Sequence, residues 1–89
     1  MTKSELLKEY AQLCEEKRVK LDGVYSNSNK QDIQNAIDCL KCSDETMREY
    51  LTVIKLKYPN MYRAIVASDF LHHNYNRLFV YNTARLALA

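Results

Sequence analysis

The stretch SNKQDIQNAIDCLKCSDETMREYLTVIKLKYP, residues 28–59, decides the fold class, because it holds two helix-start signals, each followed by an apolar stripe. Ser28 with Gln31 three residues later reads as a capping box. Ile33, Ala36, Ile37 and Leu40 then recur at helical spacing as far as Lys41. Ser43 is the next N-cap candidate, and Asp44 and Glu45 follow it in the first turn, where the helix dipole favours anions. Met47, Tyr50, Leu51 and Ile54 line the third helix, which ends at Lys57 or Tyr58 because Pro59 disfavours helical geometry in the residue before it. Two helices joined by a tight turn therefore fill the middle of the chain.

Toward the N-terminus, Thr2 and Glu5 form another capping box, and Leu6, Tyr10 and Leu13 give a stripe on a first helix over Lys3–Lys17. Between the first two helices the pattern fails. Asp22-Gly23 is a turn pair, and Val19, Leu21, Val24 and Tyr25 could line a short extended arm or tiny hairpin in what otherwise reads as a loop. Toward the C-terminus, Asn60 reads as the cap of a fourth helix striped by Met61, Ala64, Ile65 and Leu71. The run His72-His73-Asn74-Tyr75-Asn76 contains poor or middling helix formers, so a break is expected there. A fifth helix restarts near Asn76 with Leu78, Phe79, Thr83 and Leu86 as its stripe. The expected fold is all-α: a compact bundle of four or five short helices, one domain over residues 1–89, with a helix-turn-helix-like pair in the middle.

Composition agrees with this reading and removes several functions. With 47% hydrophobic and 27% charged residues, the chain has the balance of a soluble globular protein. One glycine, Gly23, and one proline, Pro59, cannot supply a phosphate-cradling loop or the many turns of a β-sandwich. Charge-free runs such as Phe70–Asn76 and Leu78–Ala84 are far shorter than the roughly 20 residues a bilayer requires. Glu5, Glu9, Glu15 and Glu16 interrupt the N-terminal region, which therefore does not read as a secretory signal. An odd number of cysteines, three, points to free thiols in a reducing compartment, and the expected location is cytoplasmic.

Three constellations could carry chemistry. Ala36–Ile54 resembles a helix-turn-helix motif: Leu40, Cys42, Ser43, Thr46, Met47, Tyr50 and Leu51 fall at its hinge, helix-start and helix-anchoring positions. The resemblance implies a DNA-binding regulator reading bases from the helix that begins near Ser43, with Ser43, Glu45, Arg48 and Lys55 as contact residues. Lys41 stands where the motif usually has glycine, and Asp44, Glu45 and Glu49 would meet phosphates, so this is the runner-up. Cys39 and Cys42, with Cys14 and one of His72 and His73, could supply a tetrahedral zinc set. A single close pair is a weaker signal than two, buried core thiols explain the cysteines better, and no metal or other cofactor is expected. A catalytic histidine needs an orienting carboxylate and a nucleophile or metal nearby; Asp69 is at best a helix neighbour of His72 and His73, so no enzyme is expected.

The charge balance is uneven along the chain. After Tyr58, Arg63, Arg77 and Arg85 face the single carboxylate of Asp69, among Tyr62, Tyr75 and Tyr81. Arg and Tyr are common binding hot spots, and Tyr62, Arg63, Tyr75, Arg77, Tyr81 and Arg85 are the expected partner-binding residues, flanking an inward stripe of Ala64, Leu71, Leu78 and Leu86. In size, Asn and Tyr richness and scarcity of Gly, Pro and Trp, the chain resembles accessory proteins of phages and other mobile elements. The leading reading is a non-catalytic helical protein that binds another protein, inhibiting or redirecting a host factor, with nucleic acid as the alternative partner and no membrane association. Self-association is a further expectation, since so small a core leaves a folding free energy near zero.

Overall fold

A computed structural model describes residues 1–20, 24 and 27–89. Among them five α-helices follow one another: α1 Lys3–Lys17, α2 Lys30–Lys41, α3 Asp44–Lys57, α4 Pro59–Val66 and α5 Asn74–Leu88. The chain is all-α. The turn pair Asp22-Gly23, and with it most of the expected short hairpin, lies outside the described residues.

Local chemistry sets most helix ends. Thr2 Oγ1 accepts from the Glu5 amide at 3.2 Å while Glu5 Oε1 accepts from the Thr2 amide at 3.0 Å, a closed capping box. α1 stops at Arg18, whose left-handed backbone (φ 55°) lets its own amide reach back to the carbonyls of Cys14 and Glu15. The cap of α2 is Asn29 rather than Ser28: the Asn29 side chain accepts from the Asp32 amide at 2.8 Å. Asparagine is as strong a cap as serine and stands one residue closer to the turn it closes. Ser43 caps α3 through the Thr46 amide at 3.1 Å, as the spacing requires.

The α3–α4 junction departs from expectation. Asn60 is inside α4, not its cap; Pro59 occupies the first turn, where a missing N–H costs nothing, and Tyr58 makes no side-chain cap bond. α4 also ends earlier, at Val66, where the Ser68 amide and hydroxyl both donate to the Ile65 carbonyl. The break thus spans residues 67–73, and α5 begins at Asn74 instead of near Asn76. No side chain caps α5. Its entry is held by backbone instead: Lys20 N–H donates to the His72 carbonyl at 2.7 Å, and the Asn74 N–H to the Lys20 carbonyl at 3.3 Å.

Packing divides into two apolar clusters. α1 lies on α2, burying Leu6, Tyr10 and Cys14 against Ile33, Ile37 and Leu40. α3 lies on α4 and α5, burying Met47, Ile54 and Ile65 against Val80, Tyr81 and Ala84. A fully buried Ile or Leu contributes about 1.5–3 kcal/mol, so the five such residues without exposed surface (Ile33, Ile37, Leu40, Met47, Ile54) supply much of the driving force. α2 and α5 link the halves: Cys39 belongs to the second cluster and Leu40 to the first, while Leu78 of α5 packs against both.

Candidate functional site

The expected partner-binding residues do not form one patch. Arg77 is the main correction: its side chain is 1% exposed and lies inside the fold. Nη1 donates to Asp44 Oδ1 at 3.0 Å and to the Leu71 carbonyl at 3.3 Å; Nη2 donates to the carbonyls of Cys42 at 3.0 Å and Cys39 at 3.5 Å. Two of these carbonyls terminate α2, where the helix dipole favours a cation, and Lys17 Nζ reaches the Cys42 carbonyl as well. Arg77 is therefore an internal clamp between α5, the α2–α3 turn and the loop after α4. Its donors are largely spent on the protein itself.

Tyr81, also expected at the surface, is only 8% exposed. Its ring meets Tyr50 edge-on at 6.0 Å and lies under the Arg85 guanidinium at 4.9 Å. Desolvation raises the Tyr81 hydroxyl above the ordinary tyrosine range. Tyr62 is half-buried beneath the Lys55 ammonium, 5.4 Å from the ring centre. Arg63, Tyr75 and Arg85 are exposed, as anticipated. The inward stripe is corrected too: Ala64 and Leu86 face solvent, while Leu71 and Leu78 are half-buried.

The surface that does emerge runs along the outer face of α5. Tyr75 is 59% exposed, Phe79 40% and Leu86 78%, with exposed Asn82 and Ala89 on the same line. A cleft of about 320 Å³ separates this face from α4, lined by Met61, Ala64, Ile65, Tyr75, Asn76 and Phe79. A second, of about 190 Å³, continues past Leu78 to Asn82, and a third, of about 460 Å³, lies among Asn35, Asn82, Arg85, Leu86 and Ala89. Arg85 is the one charged side chain among these lining residues. The opposite face of α5, through Asn74, Arg77, Val80, Tyr81 and Ala84, forms the core side. Phe79 and Leu86 were read as core; their signal was the 4-3-4-3 spacing of Tyr75, Phe79, Asn82, Leu86 and Ala89, masked by a buried stripe containing Asn and Arg.

The other candidates sit apart. Ser43 is engaged as the α3 cap, and Glu45, Arg48 and Lys55 are exposed on α3 beside Asp44 and Glu49. α2 packs mainly on α1 and α5, and α3 mainly on α5 and α4, so the two helices of the middle pair are braced by other elements. Cys14 and Cys39 are buried in different clusters, and Cys42 is half-buried with its Sγ donating to the Asp38 carbonyl at 3.5 Å. Among the described residues no group of three or more His, Cys, Asp or Glu side chains is placed to share a metal ion. Burial pushes the Cys39 thiol up to about 12, so it is held as the neutral thiol. His72 Nδ1 and Asp69 Oδ1 lie 2.8 Å apart on the surface of the α4–α5 loop, and this bond holds the Asp69 carboxyl below the usual carboxylate range. Near them a cleft of about 330 Å³ is lined by Lys17, Val19, Asp44, Leu71, His72 and Arg77. Among the described residues no helix is long and apolar enough to cross a membrane. No family model, no curated protein and no solved structure is significantly similar to this chain.

Proposed function

We propose that this chain is a small non-catalytic helical protein that works by binding another protein through the outer face of α5 and the cleft between α5 and α4. The observation that carries the reading is the alignment of Tyr75, Phe79 and Leu86, large and solvent-exposed, along clefts that already have depth. Contiguous exposed apolar area of this kind is costly in water and is characteristic of interaction sites. Aromatic side chains give such sites much of their affinity. The accessory-protein reading, in which the partner is a host factor that is inhibited or redirected, belongs to this proposal.

The test uses immobilised chain and a lysate, with Phe79→Glu and Met61→Glu compared against the unaltered protein. Both positions are exposed, so melting temperature should hold while capture of a defined partner falls by roughly tenfold or more. Capture that survives both substitutions would remove this face from consideration. The alternative, DNA binding through α3, draws support from the exposed Arg48 and Lys55 and from the tight turn at Cys42-Ser43. Its mark is a steep loss of affinity with salt in gel shifts, because phosphate contacts release counterions. The carboxylates of Asp44, Glu45 and Glu49 on the same helix stand against it.

A further inference from the structure

The exposed face of α5 has a repeat that specifies more than a sticky surface. Tyr75, Phe79, Asn82, Leu86 and Ala89 are spaced 4-3-4-3, the seam spacing by which one helix packs lengthwise on another. The seam covers fourteen residue steps, about 21 Å at 1.5 Å per residue, with its side chains standing clear of the core. One polar residue, Asn82, interrupts it near the middle, and a single buried Asn at such a position fixes register at some expense of stability. Resting on the reading of this face as a protein-binding surface, we infer that the partner it fits is a second copy of this chain, with the two α5 helices packed antiparallel.

Self-complementarity and charge both lead to that occupant. In the antiparallel register Tyr75 of each copy lies opposite Leu86 of the other, and Phe79 lies opposite Asn82, so a bulky aromatic half meets a slimmer half. The exposed phenyl edges and the aliphatic Leu86 are then covered together. Arg85 is the sole charged residue lining the clefts along the seam. Antiparallel packing sets the two Arg85 side chains about 13 Å apart along the axis, beyond the roughly 10 Å screening length at 0.1 M salt, whereas parallel packing would place them at the same level. A second copy therefore brings no like charges together, and it requires no unidentified carboxylate to balance a cation. The clefts flanking the seam give the incoming helix room to seat between α4 and the α2 end of the molecule.

The experiment is sedimentation analysis of the full chain over a wide concentration range, with helical content followed by circular dichroism. The unaltered protein should dimerise, and Phe79→Glu and Leu86→Glu should each weaken the dimer by roughly tenfold to a hundredfold without loss of helix. Register is tested by mixing: a Phe79→Glu chain and an Asn82→Lys chain, each weakened alone, should pair with one another, because positions 79 and 82 face each other in the antiparallel dimer. A chain that stays monomeric at millimolar concentration yet captures a different protein in a Phe79-dependent manner overturns the second-copy inference and leaves the surface reading standing. A dimer indifferent to Phe79→Glu and Leu86→Glu overturns the inference, and loss of all Phe79-dependent binding in a lysate as well overturns the surface reading. Failure of the mixed variants to pair overturns the antiparallel register.

Discussion

Arg77 Nη1 and Asp44 Oδ1 are 3.0 Å apart, but the two members of this ion pair live in different surroundings: the arginine side chain is 1% exposed and the aspartate 59%. Water still solvates the carboxylate, while the guanidinium depends on the protein. Substitution at the two ends should therefore be unequal. Asp44→Asn should cost less than about 1 kcal/mol, the range of an exposed pair. Arg77→Met should cost about 2–4 kcal/mol, because the carbonyls of Cys39, Cys42 and Leu71 lose their donor. Thermal melts resolve the difference, since about 1 kcal/mol moves the midpoint of a domain this size by roughly 4–8 °C. A larger loss for Asp44→Asn would contradict this account.

The Tyr10 hydroxyl accepts from Asn74 Nδ2 at 2.7 Å, a buried bond between α1 and the first residue of α5. Tyr10→Phe keeps the ring and removes the acceptor, leaving a buried amide donor unsatisfied. The expected loss is about 1–3 kcal/mol in urea unfolding, with little change in the slope.

Cys39 sits without exposed surface, and burial, outweighing the opposing pull of Arg77, moves its thiol from 9.0 to about 12. The folded state therefore holds this proton after the unfolded chain has released it. The contribution is complete below pH 9 and is lost as pH rises toward 12, at no more than about 1.4 kcal/mol per pH unit. Cys39→Ala should flatten that alkaline loss. In the folded protein near pH 8, an alkylating reagent should modify the half-buried Cys42 well before Cys14 or Cys39.

Asp69 gives the opposite sign. The hydrogen bond from His72 lowers its folded pKa, so its contribution is present above the unfolded carboxylate value and disappears as pH falls through the folded one. NMR titration of the carboxyl should find it below the ordinary range, and His72→Ala should return it. An Asp69 that titrates normally with His72 intact would mean that the pair is not formed in solution.

These outcomes also show which parts of the molecule were readable from sequence. α1 and α3 were, because a side-chain cap and an apolar stripe agree at Thr2 with Leu6 and Tyr10, and at Ser43 with Met47 and Ile54. The α4 start was not, because Pro59 reads both as a stop for the preceding residue and as a favoured first-turn residue. The inward face of α5 was misread for a different reason. Its buried stripe contains Asn74 and Arg77, and their partners come from Tyr10, Asp44 and carbonyls of distant segments. A periodicity search that seeks apolar residues passes over such a stripe and takes the neighbouring line through Phe79 and Leu86. Arg77→Glu consequently tests the fold, whereas Phe79→Glu tests the surface.

The division of the core between α1–α2 and α3–α4 has a consequence for assembly during synthesis. Each pair joins helices adjacent in sequence, so both can form from short-range contacts as the chain emerges. α5 comes last and supplies Val80, Tyr81 and Ala84 to one cluster, Leu78 to both and the Arg77 clamp at their junction. Until it is released, two half-built cores wait with their apolar sides open, the kind of nascent state that chaperones recognise. A chain cut before Asn74 should therefore accumulate as aggregate or be degraded, and adding a peptide of residues 74–89 in trans should return part of it to the soluble fraction. The helix that offers the outward seam is thus also the keystone, and the molecule cannot expose its binding face before it has closed its interior.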